Sequence, residues 1–223
     1  MSGFAAVLRK DLMLEMRSGR STMALVSLAL LVLVVLVFAI DSSVARGPEA
    51  AAGALWIALV FAGMLGASRA VLAEMENGCL RGLLLCPIDR ATLYAAKLAA
   101  SFSFMIVALA AAVLFTVLFF NLEFSGALAS LAPVLILGAL GFSALATLLA
   151  AISARARGGE LLLPLLIVPL FVPALIAGVR ASTVVLSGAP FSAARGWIGI
   201  LVAFDVLFVT AGYLLFEHVV GEE

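Results

Sequence analysis

The chain has 223 residues, 65% hydrophobic and 12% charged, with a mean hydropathy of +1.29. Water-soluble domains hold about 45–50% apolar and about 25% charged residues, so a soluble globule is excluded, as is a disordered chain, which needs low hydrophobicity and high net charge. Thirteen Lys and Arg balance thirteen Asp and Glu, leaving no basic excess for neutralising phosphates, so no nucleic acid is expected among the partners.

The remaining class is an all-α polytopic membrane protein, and its elements can be taken in chain order. Within residues 2–19, Phe4, Leu8, Leu12 and Met16 recur every four positions with Val7 beside them, while Arg9, Lys10 and Arg17 fall elsewhere on the wheel. This spacing predicts a basic amphipathic helix along the membrane interface; a frayed leader is the alternative. A transmembrane helix needs about 20 apolar residues to cross roughly 30 Å of hydrocarbon. Runs of suitable length predict six spans, at about 21–40, 50–68, 98–122, 128–154, 161–179 and 196–216. The first lacks a convincing small-residue cleavage site and reads as a retained helix rather than a signal peptide. All six belong to a single permease domain, 1–223.

Lys and Arg collect on the cytoplasmic side of membrane proteins. With the N-terminus inside, Arg9, Lys10, Arg17, Arg20, Arg69, Arg81, Arg90, Lys97, Arg155 and Arg157 fall inside, and only Arg46, Arg180 and Arg195 outside. Six spans then place both termini in the cytoplasm. The outside segment from Arg180 to Arg195 is expected to form short interfacial helices rather than open loop.

The largest polar segment between spans is 69–97, RAVLAEMENGCLRGLLLCPIDRATLYAAK. The second span can run on as helix through Glu74 until Asn77-Gly78, a turn signal, breaks it. Leu80, Leu83 and Leu84 stand at i, i+3 and i+4, the apolar face of a short helix. Cys86-Pro87 ends that helix, because the residue before proline avoids the helical region. Asp89 with Thr92 suits the N-cap of a new helix entering span three. A short helix held crosswise between two long ones is either a docking surface or a stabilising interfacial turn.

The pattern E-x-x-N-G-C-L-R-G-L-L-L-C-P-x-x-R-x-x-L-x-x-A-K, Glu74 to Lys97, resembles the coupling-helix loop of ABC-2-type exporter permeases. A second stretch, Arg157-Gly158-Gly159 followed by LLLPLLIVPLFVPALIAG, is similar to the segment opening span five in the heme exporter protein B (CcmB) family, whose length of about 220 residues also matches. The resemblance covers essentially the whole chain, with specific motifs in these two segments. It implies an ABC-2, type V exporter-like fold in which 69–97 docks a separate ATPase. Glu74, Glu76, Gly78, Leu80, Arg81, Leu84, Leu85, Pro87 and Lys97 would then form or orient the docking helix. Gly158, Gly159, Pro169 and Pro173 match the span-five pattern. Cys79 replaces the small hydroxyl residue usual at its position.

No phosphate cradle of the form G-x-x-x-x-G-K-[ST] occurs, nor a nucleophile elbow or HExxH string. A non-catalytic membrane subunit is therefore expected, with ATP hydrolysed on a partner. Cys79 and Cys86 fit no zinc pattern and read as packing residues; no metal site is expected. His218, after the last span, reads as an interfacial histidine rather than a heme ligand. Asp205 is the only acid near the middle of a span. A carboxylate there is expensive in lipid and should face protein or water, so it lines a cavity or subunit contact, or is a hydrogen-bonded packing residue. Pro164, Pro169 and Pro173 make span five the expected kinked helix.

These readings lead to a permease subunit of an ABC complex in cytochrome c biogenesis, acting in heme export or in ATP-driven release of heme from a chaperone. Implied partners are a CcmA-like ATPase, a second CcmB copy, a CcmC-like heme-handling membrane protein, a heme chaperone and membrane lipid. No cofactor is expected on this chain itself; ATP belongs to the partner, and heme is the substrate of the complex. The expected location is the inner membrane of a prokaryote. Alternatives are an ABC-2 permease for a lipid, drug or polysaccharide, and an ATP-independent transporter or scaffold.

Overall fold

The computed structural model describes residues 3–18, 20–39, 47–77, 89–121, 126–154 and 159–221. Among them every regular element is helical: α1 (Gly3–Ser18), α2 (Arg20–Ala39), α3 (Pro48–Asn77), α4 (Arg90–Phe120), α5 (Gly126–Ser153), α6 (Gly159–Leu186), a single 3-10 turn (Phe191–Ala194) and α7 (Arg195–Gly221). Five segments are long and apolar enough to cross a membrane: Pro48–Arg69, Arg90–Phe120, Leu128–Ser153, Leu162–Leu186 and Phe191–Phe216. Met23–Ala39 of α2 is apolar but shorter. The chain is an all-helical, multi-pass membrane protein.

Local chemistry sets the helix ends. Pro48 opens α3, where its missing N–H has no intrahelical partner to lose, and the Ala51 N–H donates to the Gly47 carbonyl at 3.2 Å. The Asp89 carboxylate caps α4 by accepting from the Thr92 N–H at 3.4 Å. At the other end Asn121 takes the left-handed conformation, φ 49°, which short polar side chains tolerate. The third span therefore stops close to its expected end.

Helix α3 is helical through Asn77, past Glu74 as expected. One expected boundary differs. Helix α6 runs to Leu186 rather than stopping at 179, and carries Arg180 within it. A charged side chain ends an apolar run without ending a helix, because its long stem lets the head group reach the interface. Gly188, φ 77°, finally turns the chain, and the segment after it forms only the 3-10 turn before α7 begins.

Helix α5 is the most enclosed of the spanning helices and packs against α3, α4, α6 and α7. Helix α2 lies at the side, against α3 and α4. Lipid is as apolar as leucine, so close packing rather than water exclusion must hold such helices together. Trp56 of α3 shows how: its buried ring sits against Gly138 of α5 and Gly178 of α6, where a Cβ would collide with it. Thr116 closes on its own helix by donating to the Ala112 carbonyl at 2.7 Å, which keeps its hydroxyl satisfied away from water, whereas the buried Ser143 and Ser153 hydroxyls have no partner among the described residues.

Candidate functional site

The 69–97 segment is held at both ends by packed helices. Its entry is the tail of α3, with Glu74 and Glu76 on the last two turns. Its exit is the Asp89-capped start of α4, which carries Tyr94 and the half-buried Lys97. Gly78, Leu80, Arg81, Leu84, Leu85 and Pro87, together with the expected crosswise helix and both cysteines, lie outside the described residues. So does Gly158, while Gly159 is the first residue of α6.

Around the exit lies a buried cluster separate from the main core. Val7 of α1, Leu93, Tyr94 and Ala96 of α4, Ala151 of α5 and Phe216 of α7 form it, with Phe4 and Leu98 packed against it. Helix α1 thus turns Val7 and Phe4 onto the start of α4, so that protein takes up part of its apolar face. Tyr94 is 1% exposed. Its hydroxyl donates to the Phe208 carbonyl of α7 at 3.4 Å, its ring lies against Gly212, and the Phe216 ring centroid is 5.5 Å away. Sequence reading missed Tyr94 because one tyrosine in an apolar helix carries no periodic signal. The available clue was the general need of a buried phenol for an acceptor.

The main core has an aromatic centre. Trp56 donates its Nε1–H to Ser182 Oγ at 2.9 Å, and its ring stacks 6.5 Å from Phe171 of α6. Phe171 in turn meets Phe142 of α5 edge-on at 5.1 Å and Phe204 of α7 edge-on at 5.7 Å. Phe204 and Phe208 are 4.5 Å apart.

Asp205 sits beside this centre, 5% exposed. It faces Gly141 of α5 so closely that a Cβ there would strike its carboxyl. Neither carboxyl oxygen has a hydrogen-bond partner among the described residues. The residue is protein-facing, and the hydrogen-bonded form of the packing reading finds no support in this arrangement. Buried polar groups are nearly always paired, so an unpaired carboxyl demands a reason. Pro164, Pro169 and Pro173 all lie inside one continuous α6; Pro169 and Pro173 are exposed and Pro164 half-buried. They are not brought together with Asp205, which points at α5. His218 lies near the end of α7, its side chain outside the described residues. No group of three His, Cys, Asp or Glu side chains able to hold a metal occurs among the described residues.

The sequence matches the family model described as CcmB protein over residues 2–220. It is similar to proteins named heme exporter protein B in three organisms. The Bradyrhizobium diazoefficiens protein is 28% identical over 197 residues, covering 86% of this chain and 88% of the relative. That of Pseudomonas aeruginosa is 34% identical over 169 residues, covering 71% and 74%. That of Rhodobacter capsulatus is 33% identical over 174 residues, covering 78% and 79%.

Proposed function

Because the chain belongs to the CcmB protein family, we propose that it is the membrane permease subunit of an ABC-type heme exporter serving cytochrome c biogenesis. The observation that carries this reading is the family match over residues 2–220, which leaves no room for an unrelated domain between those limits. The substrate follows from the relatives, each named heme exporter protein B. Two copies, each adding Met23–Ala39 as a sixth span, pair in the cytoplasmic membrane with termini and the 69–97 loop inside. A CcmA-like ATPase docks on each loop, and a CcmC-like protein and heme chaperone handle heme beside them. ATP turnover on that partner drives heme export, or the release of heme from the chaperone, by shifting the spans as rigid bodies.

The tail of α3 supports a docking role on physical grounds. Glu74 and Glu76 stand at a helix C-terminus whose last turn has no basic residue. Acids there oppose the helix dipole by about 0.3–1 kcal/mol each. A partner presenting positive charge reverses that sign, which makes the two acids more useful in the complex than in the isolated chain.

Affinity purification from native membranes in mild detergent tests the reading. An ATP-hydrolysing subunit should co-purify, and Glu76→Ala or Pro87→Ala should reduce its recovery. Full recovery with both variants would put docking elsewhere, and its absence from the wild-type preparation would remove the ABC assignment.

A further inference from the structure

We propose that Tyr94 is the positioning residue that passes displacement of the 78–88 loop to α7, acting as a wedge between the start of α4 and the C-terminal half of α7. The inference rests on the reading of that loop as the ATPase-docking surface.

The lever begins at Asp89. Its carboxylate caps α4 by accepting from the Thr92 N–H at 3.4 Å, so the first turn of the helix is tied to the residue at which the described chain resumes. Tyr94 is five residues further on, about 7.5 Å along the axis at 1.5 Å per residue. Its ring reaches α7 at three successive positions four residues apart. The hydroxyl donates to the Phe208 carbonyl at 3.4 Å, the ring occupies the space that Gly212 leaves without a Cβ, and its face is tilted 49° against Phe216. Positions four apart share one helix face, so Tyr94 grips one stripe of α7 over two turns.

Three features separate this contact from ordinary filling. The Phe208 carbonyl is the helical acceptor for the Gly212 N–H, so the phenol shares an acceptor that is already engaged inside the helix. The cluster holding Tyr94 is distinct from the main core, yet its Phe208 contact packs against that core 4.5 Å from Phe204, so a displacement of Tyr94 reaches the aromatic centre. The same stripe of α7 continues to Asp205, three residues before Phe208, whose carboxyl abuts Gly141 without a hydrogen-bond partner among the described residues. An unpaired carboxyl gains from any movement that gives it a donor or water. A push at Asp89 thus arrives, through Tyr94, at a helix whose resting contact with α5 is poorly satisfied.

The test uses the whole complex with its ATPase subunit in lipid nanodiscs, with Cys79→Ser and Cys86→Ser and a spin label on Val206→Cys, an exposed position of α7. Adding ATP should change the label's spectrum. Tyr94→Leu should reduce that change about tenfold, within the usual range of coupling between sites, while the ATPase subunit still co-purifies and its KM for ATP is unchanged. Tyr94→Phe keeps the ring and loses the hydrogen bond, so its loss should be only about threefold, the usual size for one bond between membrane helices. Gly212→Ala, which drives the ring off α7, should behave like Tyr94→Leu; if Tyr94→Leu fails to assemble, Tyr94→Phe and Gly212→Ala decide. A wild-type spectral change retained by these variants overturns the inference and leaves the docking reading standing. Failure of the wild-type chain to retain an ATPase overturns both.

Discussion

The indole of Trp56 can be fully buried because Ser182 accepts its N–H at 2.9 Å and because Gly138 and Gly178 leave its ring a slot. Trp56→Phe should lower stability by about 0.6 kcal/mol, the mean for a hydrogen bond between membrane helices. Gly178→Leu should lower it by more, about 1–3 kcal/mol, since overpacking displaces the whole ring. Unfolding in detergent, followed by tryptophan-independent far-UV ellipticity, measures both; equal effects would show that the slot is not filled as described. Asp205 is the opposite case, a polar group buried against Gly141 with no hydrogen-bond partner among the described residues. Asp205→Asn should leave membrane insertion and stability at least at wild-type level while lowering rescue of the deletion strain; full rescue would show that the carboxyl has no functional role. Asp205 could be picked out from the sequence because an acid in an apolar run stands alone. Trp56 and Tyr94 could not be, because what gives each its role is a small residue or carbonyl on another helix; Ser182 is 126 positions from its donor.

At the scale of elements, α6 is a helix with three of its own bonds withheld. Pro164, Pro169 and Pro173 have no N–H for the carbonyls of Glu160, Leu165 and Pro169, four residues before each. Leu165, Pro169 and Pro173 lie on one exposed face, so the weakened side of the helix is turned away from α3 and α5. Pro169→Ala should restore a bond, raise thermal stability and slow hydrogen exchange in α6. Unaltered exchange in the variant would mean that neighbouring groups already satisfy the Leu165 carbonyl. Helix ends were legible where one residue sets them, as Asp89 does for α4. The end of α6 was not, because Arg180 breaks the hydropathy of the segment while its backbone stays helical through Leu186. The crosswise helix in the 69–97 loop was inferred from Leu80, Leu83, Leu84 and Cys86-Pro87, residues outside the described part of the molecule.

For the whole molecule, composition alone separates a membrane protein from a soluble one, and five long apolar helices agree with it. The order in which they surround α5 was not legible, since every span is apolar all round and periodicity cannot say which face meets which neighbour. Orientation rests on the Lys and Arg distribution, and the two native cysteines provide a direct check on it. A membrane-impermeant maleimide should leave Cys79 and Cys86 unlabelled in intact spheroplasts and label them after permeabilisation. Labelling in intact spheroplasts would turn the loop outward, where no cytoplasmic ATPase reaches it. The central claim is that the chain is the permease of a heme-handling ABC complex in cytochrome c biogenesis. It is tested most directly by heme staining of c-type cytochromes in a deletion strain, complemented with the wild-type chain or with Glu76→Ala. Holocytochrome c should be lost on deletion, return with the wild-type chain, and return only in part with the variant; normal levels in the uncomplemented deletion strain would contradict the account.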